Sequence, residues 1–293
     1  MPALALVLAA VLSVEFGAAL AVTLFDEVGP LGTVVLRTVA GCLVLLLLFR
    51  PRLRGRARHE LALAAAFGLV LAAMNTCFFL ALERIPLGIT VTLEFVGPLG
   101  LAVALSRRAL DLVWVALAGA GIGLLSGGET GGDVAGILLA LAAGGCWAGY
   151  ILLSARVGRV FPGPSGLAVA TLVGSLVLLG PGIAQGGADL LDGHVLGLGL
   201  AVGVLSTAIP YSLELEALRR VPPRVFGVLM SLGPAAGALA GALVLDQRLA
   251  ATEWLALALV VVASAGVTLA QAQRERRHEV RRPRPRAGPG GTR

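Results

Sequence analysis

Apolar runs of about 20 residues, the length a helix needs to cross a bilayer, follow one another from Ala3 to Gln271 with only short polar connectors between them. Such runs must be helical, because a lipid-exposed segment has to satisfy every backbone N–H and C=O internally. They fall at 3–25, 28–49, 61–82, 86–105, 109–127, 134–155, 165–184, 195–217, 223–244 and 250–271. The chain is therefore expected to be an all-α integral membrane protein with ten transmembrane helices. Its composition agrees, with 14% charged residues against about 25% in soluble domains. The alternating strand pattern of an outer-membrane barrel is absent. The connectors are too short for a soluble catalytic domain. The first run lacks a basic leader, so it reads as helix 1 and not as a cleaved signal.

Charge is segregated. The chain has no Lys, and of its 23 basic residues all but Arg37, Arg84 and Arg248 lie in alternate connectors or in the tail. The intervening connectors collect Asp26, Glu27, Glu129, Asp133, Asp189 and Asp192. Positive charge stays on the cytoplasmic side, which puts both termini inside. The net charge of +6 is thus accounted for by topology, and no nucleic-acid partner is expected. Residues 273–293 read as a disordered, basic cytoplasmic tail placed to lie against anionic lipid. Cys42, Cys77 and Cys146 are scattered singly, and His59, His194 and His278 lie far apart outside the spans. Neither disulfide, metal nor cofactor is expected, and no phosphate-binding glycine motif occurs.

The chain repeats itself. Shifted by 136, Ala-Leu-Glu-Arg-Ile-Pro at 81–86 becomes Ala-Leu-Arg-Arg-Val-Pro at 217–222, and Gly97-Pro98 meets Gly233-Pro234. This divides the chain into a first five-helix repeat at 1–128 and a second at 129–272. Five helices per half place the second half upside down relative to the first. Inverted repeats are an architecture of secondary transporters, with the substrate site near midplane between the halves.

The segments "PLGITVTLEFVGPL", "SRRALDLVW", "STAIPYSLELEALRRVP" and "FGVLMSLGPA" resemble the threonine/homoserine exporters of the drug/metabolite transporter superfamily, with its EamA-type five-helix repeat. The resemblance covers nearly everything but the tail. It implies an inner-membrane exporter of small hydrophilic amino acids, coupled to protons, with the lipid bilayer as surroundings. Whether it works as a monomer or a homodimer stays open. The second-half motif of those exporters commonly reads Leu-Glu-Pro, where this chain has Leu232-Gly233-Pro234. They also tend to carry a neutral amide where this chain has Glu15, a position similar to the membrane glutamate of small multidrug resistance transporters.

Polar residues at membrane depth are costly and mark candidate sites. Glu94 lies mid-span and shares a helical face with Thr90, Gly97 and Leu101 by 3.6-residue spacing. It would hold a proton in one state and a substrate ammonium in the other, or else form a standing pair with Arg37. Glu15 is either a second proton or cation site or a partner of Arg37. Arg37 either clamps a substrate carboxylate in a bidentate fork or serves as counter-ion. Asn75 and Tyr211, related by the 136 shift, bring hydrogen-bonding groups to matched depth. Glu214 is a gate residue or an interfacial ion-pair partner. Gly97, Pro98, Pro210, Gly233 and Pro234 are expected helix breaks whose freed carbonyls would face the cavity. Two rivals remain: a multidrug exporter of organic cations, disfavoured by only 5% aromatic residues, and an intramembrane enzyme, for which no cluster of His or acids is present at one membrane face.

Overall fold

The computed structural model describes residues 3–51, 55–105, 110–126, 133–161, 165–218, 220 and 223–281. Among the described residues there are helices and turns and no strand. The order is α1 (Ala3–Val22), α2 (Phe25–Phe49), α3 (Arg58–Leu82), α4 (Leu87–Glu94), α5 (Val96–Ala104), α6 (Leu110–Ser126) and α7 (Val134–Val160). It continues with α8 (Ser165–Gly186), α9 (Gly193–Gly203), α10 (Ile209–Leu218), α11 (Pro223–Met230), α12 (Gly233–Val244) and α13 (Ala251–Arg281). A 3₁₀ turn at Gly187–Leu191 extends α8, and a π turn at Val204–Ala208 joins α9 to α10.

Eight stretches are long and apolar enough to cross a membrane, α4–α5 and α11–α12 each counting as one broken span. The other two expected spans are occupied by α6 and by α9 through α10. The chain is a multi-pass membrane protein. The two broken spans share a register: α4 runs from Leu87 to Glu94 and α11 from Pro223 to Met230, the same 136-residue offset at both ends.

Three local outcomes differ from simple spans. The helix of the second span starts at Phe25 and kinks at Gly29, whose φ of 68° is accessible mainly to glycine; the Gln185 side-chain oxygen accepts the Leu31 N–H at 2.6 Å there. Residues 273–281, expected to belong to the disordered tail, continue α13 instead. Arg, Glu and Gln favour helix. Residues 282–293, the rest of that tail, lie outside the described residues, as do Glu129 and the 128/129 division between halves.

Water cannot drive helices together inside a bilayer, so close approach of small residues has to. The chain has 40 glycines, several of them at helix crossings. The carbonyl of Gly68 in α3 lies 3.1 Å from where a Cβ on Gly174 of α8 would be. A Cβ on Gly41 of α2 would lie 2.8 Å from the Thr207 hydroxyl. The tightest crossing joins the α4–α5 break to α7. A Cβ on Gly97 would overlap the Gly144 carbonyl, and one on Gly144 would lie 2.5 Å from the carbonyl oxygen of Glu94. Spacing of i, i+4 does not by itself mark a crossing: Gly237 and Gly241 face α4, but a Cβ on Gly119 or Gly123 would meet nothing within 4 Å among the described residues; Gly121 packs on α13 instead.

The principal contacts pair α2 with α8, α3 with α7 and α8, α6 with α13, α4 with α12, and α1 with α10 and α12. Exchanging the first five spans with the last five turns each of these pairings into itself or into another strong one. One end of the bundle carries the arginine-rich connectors, where Arg56 donates to the Val160 carbonyl at 2.7 Å and lies over the Phe161 ring. The other end is sealed. Leu24, Val28, Leu190 and Val195 are buried there, the Gln247 side chain accepts the Leu87 N–H at 3.0 Å, and Arg84 meets Asp133 at 3.2 Å. The Gly136 N–H, with help from Arg84, holds the Asp133 carboxyl below its usual range. That clasp therefore contributes above the ordinary aspartate pKa and is lost as pH falls through the depressed value.

The crossing predicts a contrast between two glycines of neighbouring spans. Gly97→Ala should lower stability by about 1–3 kcal/mol, the usual cost of overpacking. Gly123→Ala, with open space around it, should stay within about 0.5 kcal/mol of the parent. Unfolding of the two purified variants in detergent measures both.

Candidate functional site

The break after Glu94 is set by Pro98, which has no N–H to offer the Glu94 carbonyl one turn back. Glu94 thus becomes the last residue of α4, and the chain resumes as α5 at Val96. The expectation that the freed carbonyl faces a cavity is not met. That oxygen lies against Gly144 of α7, while it is the Glu94 side chain that lines the cavity. The second break follows the same logic, with α11 ending at Met230 and Pro234 in the first turn of α12.

Pro210 acts differently. It lies two residues beyond the π turn. In an i→i+5 register the amide of residue 210 would serve the Leu205 carbonyl, and proline has none. The Ser13 hydroxyl of α1 donates to that carbonyl instead, at 2.7 Å. The widened turn brings Ser206 and Thr207 to the cavity wall.

These breaks surround a cavity of about 450 Å³. It reaches from mid-bundle, at Ala18, Phe78 and Leu178, toward the arginine-rich end, at Leu45, Leu167 and Glu214. On the opposite side the buried cluster of Phe79, Leu82 and Leu87, with Phe25 packed on it, closes the bundle. Five of the six polar residues expected in the site, Glu15, Arg37, Asn75, Glu94 and Glu214, line this cavity. Tyr211 lies on α10, and its side chain is outside the described residues.

Arg37 is held by neutral groups. Its guanidinium donates to the Asn75 side-chain oxygen at 2.8 Å and lies 5.3 Å from the centre of the Phe79 ring. Asn75 is 7% exposed and fixes its own amide by donating to the Leu71 carbonyl at 2.8 Å. No carboxylate lies within 4 Å of Arg37 among the described residues, so neither Glu94 nor Glu15 forms a standing ion pair with it. Both acids lie near enough to feel its charge, and Glu15 also that of Glu94. A half-buried guanidinium held in place without a carboxylate keeps its charge available to a ligand.

Glu15 is 7% exposed and reaches from α1 into a notch on α12. Its carboxyl oxygens lie 3.8 and 3.2 Å from where Cβ atoms on Gly233 and Gly237 would be. Glycine one turn apart makes room for the acid, and any side chain at 237 would press on it. Phe95 stands beside this notch, edge-on to Trp147 with ring centres 4.9 Å apart.

Residues not singled out by sequence also contribute. Thr38, Trp147, Tyr150, Thr171, Ser206 and Thr207 all line the cavity. The Ser206 hydroxyl is buried without a hydrogen-bond partner among the described residues. Pro210 was a sequence clue to a break, but a Ser/Thr pair four and three residues before it is common in apolar spans and carried no signal of its own. Among the described residues no cluster of His, Cys, Asp and Glu is arranged to hold a metal ion.

Residues 134–269 match the model of the EamA-like transporter family. The chain is 45% identical over 254 residues to the threonine/homoserine exporter RhtA of Salmonella typhimurium strain SL1344, covering 85% of each protein. It is 44% identical over 256 residues to the protein of the same name from Escherichia coli K12, covering 86% of each. An uncharacterized transporter of Bacillus subtilis, YwfM, is 32% identical over 159 residues and 53% of each chain. A solved structure titled only as the crystal structure of a protein superposes with a TM-score of 0.60, covering 92% of this chain and 98% of that one at 22% identity, which speaks to the fold.

Asn75 should prove structural support for Arg37. Asn75→Leu is expected to destabilise the protein by about 1–3 kcal/mol, the cost of leaving a buried charged donor unsatisfied. Asn75→Asp, which restores an acceptor, should recover part of the loss. Thermal unfolding of the variants in one detergent distinguishes the two.

Proposed function

We propose that this chain, which belongs to the EamA-like transporter family and is a transporter and not an enzyme, exports threonine, homoserine and similar small amino acids across the bacterial inner membrane by alternating access, driven by protons. Both termini would be cytoplasmic, and the two five-helix halves, 1–128 and 129–272, would rock about the central cavity. The observation that carries this reading is the charge pattern of that cavity: a guanidinium held by Asn75 and Phe79 faces two carboxyls that it does not neutralise by contact.

A zwitterionic amino acid fits such a pattern. Arg37 takes the substrate carboxylate in a bidentate fork. Glu94, at the end of a half-span, takes the ammonium. Thr38 and Thr171 in the wall are suited to the side-chain hydroxyl of threonine or homoserine, and a site built to hydrogen-bond that group penalises a substrate that lacks it. A proton and the ammonium compete for the Glu94 carboxylate, so arrival of one favours departure of the other. That competition links efflux to the proton gradient without any further device. The cavity reaches toward the arginine-rich end and is closed by apolar packing at the other, which suits loading from the cytoplasm. Glu214, nearer that end, is placed to attract the incoming ammonium.

A second reading, export of organic cations, draws on the rings gathered in the wall. Phe78, Phe95, Trp147 and Tyr150 line the cavity of a chain with few aromatics, and aromatic faces attract cations. Resistance to quaternary ammonium compounds without amino-acid efflux would put this reading first.

Glu94→Gln keeps shape and removes the titrating group. Cells overproducing this variant and preloaded with homoserine should show at least about a tenfold lower efflux rate, corresponding to the loss of a charge-assisted interaction of roughly 1.4 kcal/mol or more. Proton-coupled efflux at the parental rate would sink the assignment of Glu94. Glu94→Asp, which retains the acid, should fall between the two.

A further inference from the structure

Counting charge at mid-bundle, apart from Glu214 nearer the arginine-rich end, leaves one acid over. Among the described lining residues at mid-bundle, Glu15 and Glu94 are acidic and Arg37 is basic. A monoamino, monocarboxylic substrate brings one ammonium and one carboxylate, which match Glu94 and Arg37. Glu15 is then without a counter-charge. It is more than nine-tenths buried, points into the cavity, and makes no hydrogen bond or ion pair within 4 Å to any described residue. A buried carboxylate with nothing opposite it is among the costliest arrangements a protein interior can hold. Yet the fold makes space for this one. Gly233 and Gly237 open a notch for it on α12, where a Cβ on Gly237 would lie 3.2 Å from its nearer oxygen.

We propose that Glu15 is the site for a second ammonium group, so that the protein also exports short diamino monocarboxylic acids. This deepens the amino-acid-export reading and rests on it. With such a substrate every charge at mid-bundle has an opposite: Arg37 with the carboxylate, Glu94 with one ammonium, Glu15 with the other. The volume of about 450 Å³ is within the range of small-molecule sites and leaves room beyond a four-carbon amino acid. Glu15 comes from α1 and Glu94 from the α4–α5 break, so the two ammonium groups are read by different helices. Selectivity between a hydroxyl and an ammonium at the end of the substrate side chain is therefore set by Glu15 and by the glycine notch that seats it. With homoserine, the same carboxylate has only a hydroxyl or a proton to face.

2,4-Diaminobutyrate is the discriminating probe, because it is homoserine with the terminal hydroxyl replaced by an ammonium. Cells overproducing the intact protein are preloaded with each compound and efflux is followed, with membrane levels of the protein measured in parallel. The wild-type protein should carry both. In Glu15→Gln the ratio of diaminobutyrate to homoserine efflux should fall about tenfold or more, and Gly237→Ala, which crowds the carboxyl, should lower the same ratio by less. Homoserine efflux without diaminobutyrate efflux in the wild type overturns the second-ammonium site and leaves amino-acid export standing. Efflux of neither compound overturns the export reading itself. An unchanged ratio in both variants assigns Glu15 no part in selectivity. The wild-type comparison does not depend on any variant folding.

Discussion

A guanidinium at the centre of the bundle, lining the cavity and tied to neutral partners, is the constraint around which the rest is arranged. Arg37 could have been silenced by either nearby acid, and an ordinary structural ion pair would have done so. Instead Asn75 and the face of Phe79 hold it, which fixes its position while leaving its charge to act across the cavity. The acids are then obliged to find their own accommodation. Glu94 sits at the end of a half-helix, and Glu15 lies in a notch made of two glycines. Three charges kept separate in a low-dielectric space make a poor structural core, and a good receptacle for something small that carries both signs.

The surrounding bundle tolerates this because its cohesion comes from elsewhere. Glycine contacts bring α3 onto α8 and the α4–α5 break onto α7 at backbone distance, and the acidic end is closed by packed apolar side chains with glutamine and arginine clasps. Proline supplies the irregularity. Pro98 and Pro234 end two half-spans in equivalent register, while Pro210 is accompanied by a π turn that brings Ser206 and Thr207 to the cavity wall. The second half kept its break and lost the acid, Met230 standing where the first half has Glu94. At mid-bundle the charges Glu15, Arg37 and Glu94 therefore come from α1, α2 and α4, while α12 supplies the glycine notch.

Much of this was legible in sequence. The eight long spans were, because bilayer thickness and backbone satisfaction leave few alternatives to a long apolar helix, and shorter helices occupy the other two expected stretches. Glu15, Arg37, Asn75, Glu94 and Glu214 stood out because polar groups are conspicuous in apolar runs, and all five face one cavity. Who pairs with whom was not legible. The obvious Arg–Glu pairing gave way to Arg37 with Asn75, since contact depends on how three helices are rotated and not on spacing within any one of them. Nor could the sequence tell the packing glycines from idle ones: Gly119 and Gly123 have the spacing but no neighbour, while Gly97 and Gly144, on different spans, meet. The helical continuation of α13 to Arg281 was hidden by an Arg-rich composition that suits a solvated helix as well as a disordered tail.

The central claim is that substrate ammonium and a proton compete for one carboxylate in the cavity, that of Glu94, and calorimetry on the purified protein tests it directly. Homoserine binding would be titrated at one pH in buffers of differing ionisation enthalpy, which reveals any protons exchanged. The account predicts that binding releases protons to the buffer and weakens as the pH is lowered. Saturable binding with no proton exchange and no change of affinity with pH would contradict it.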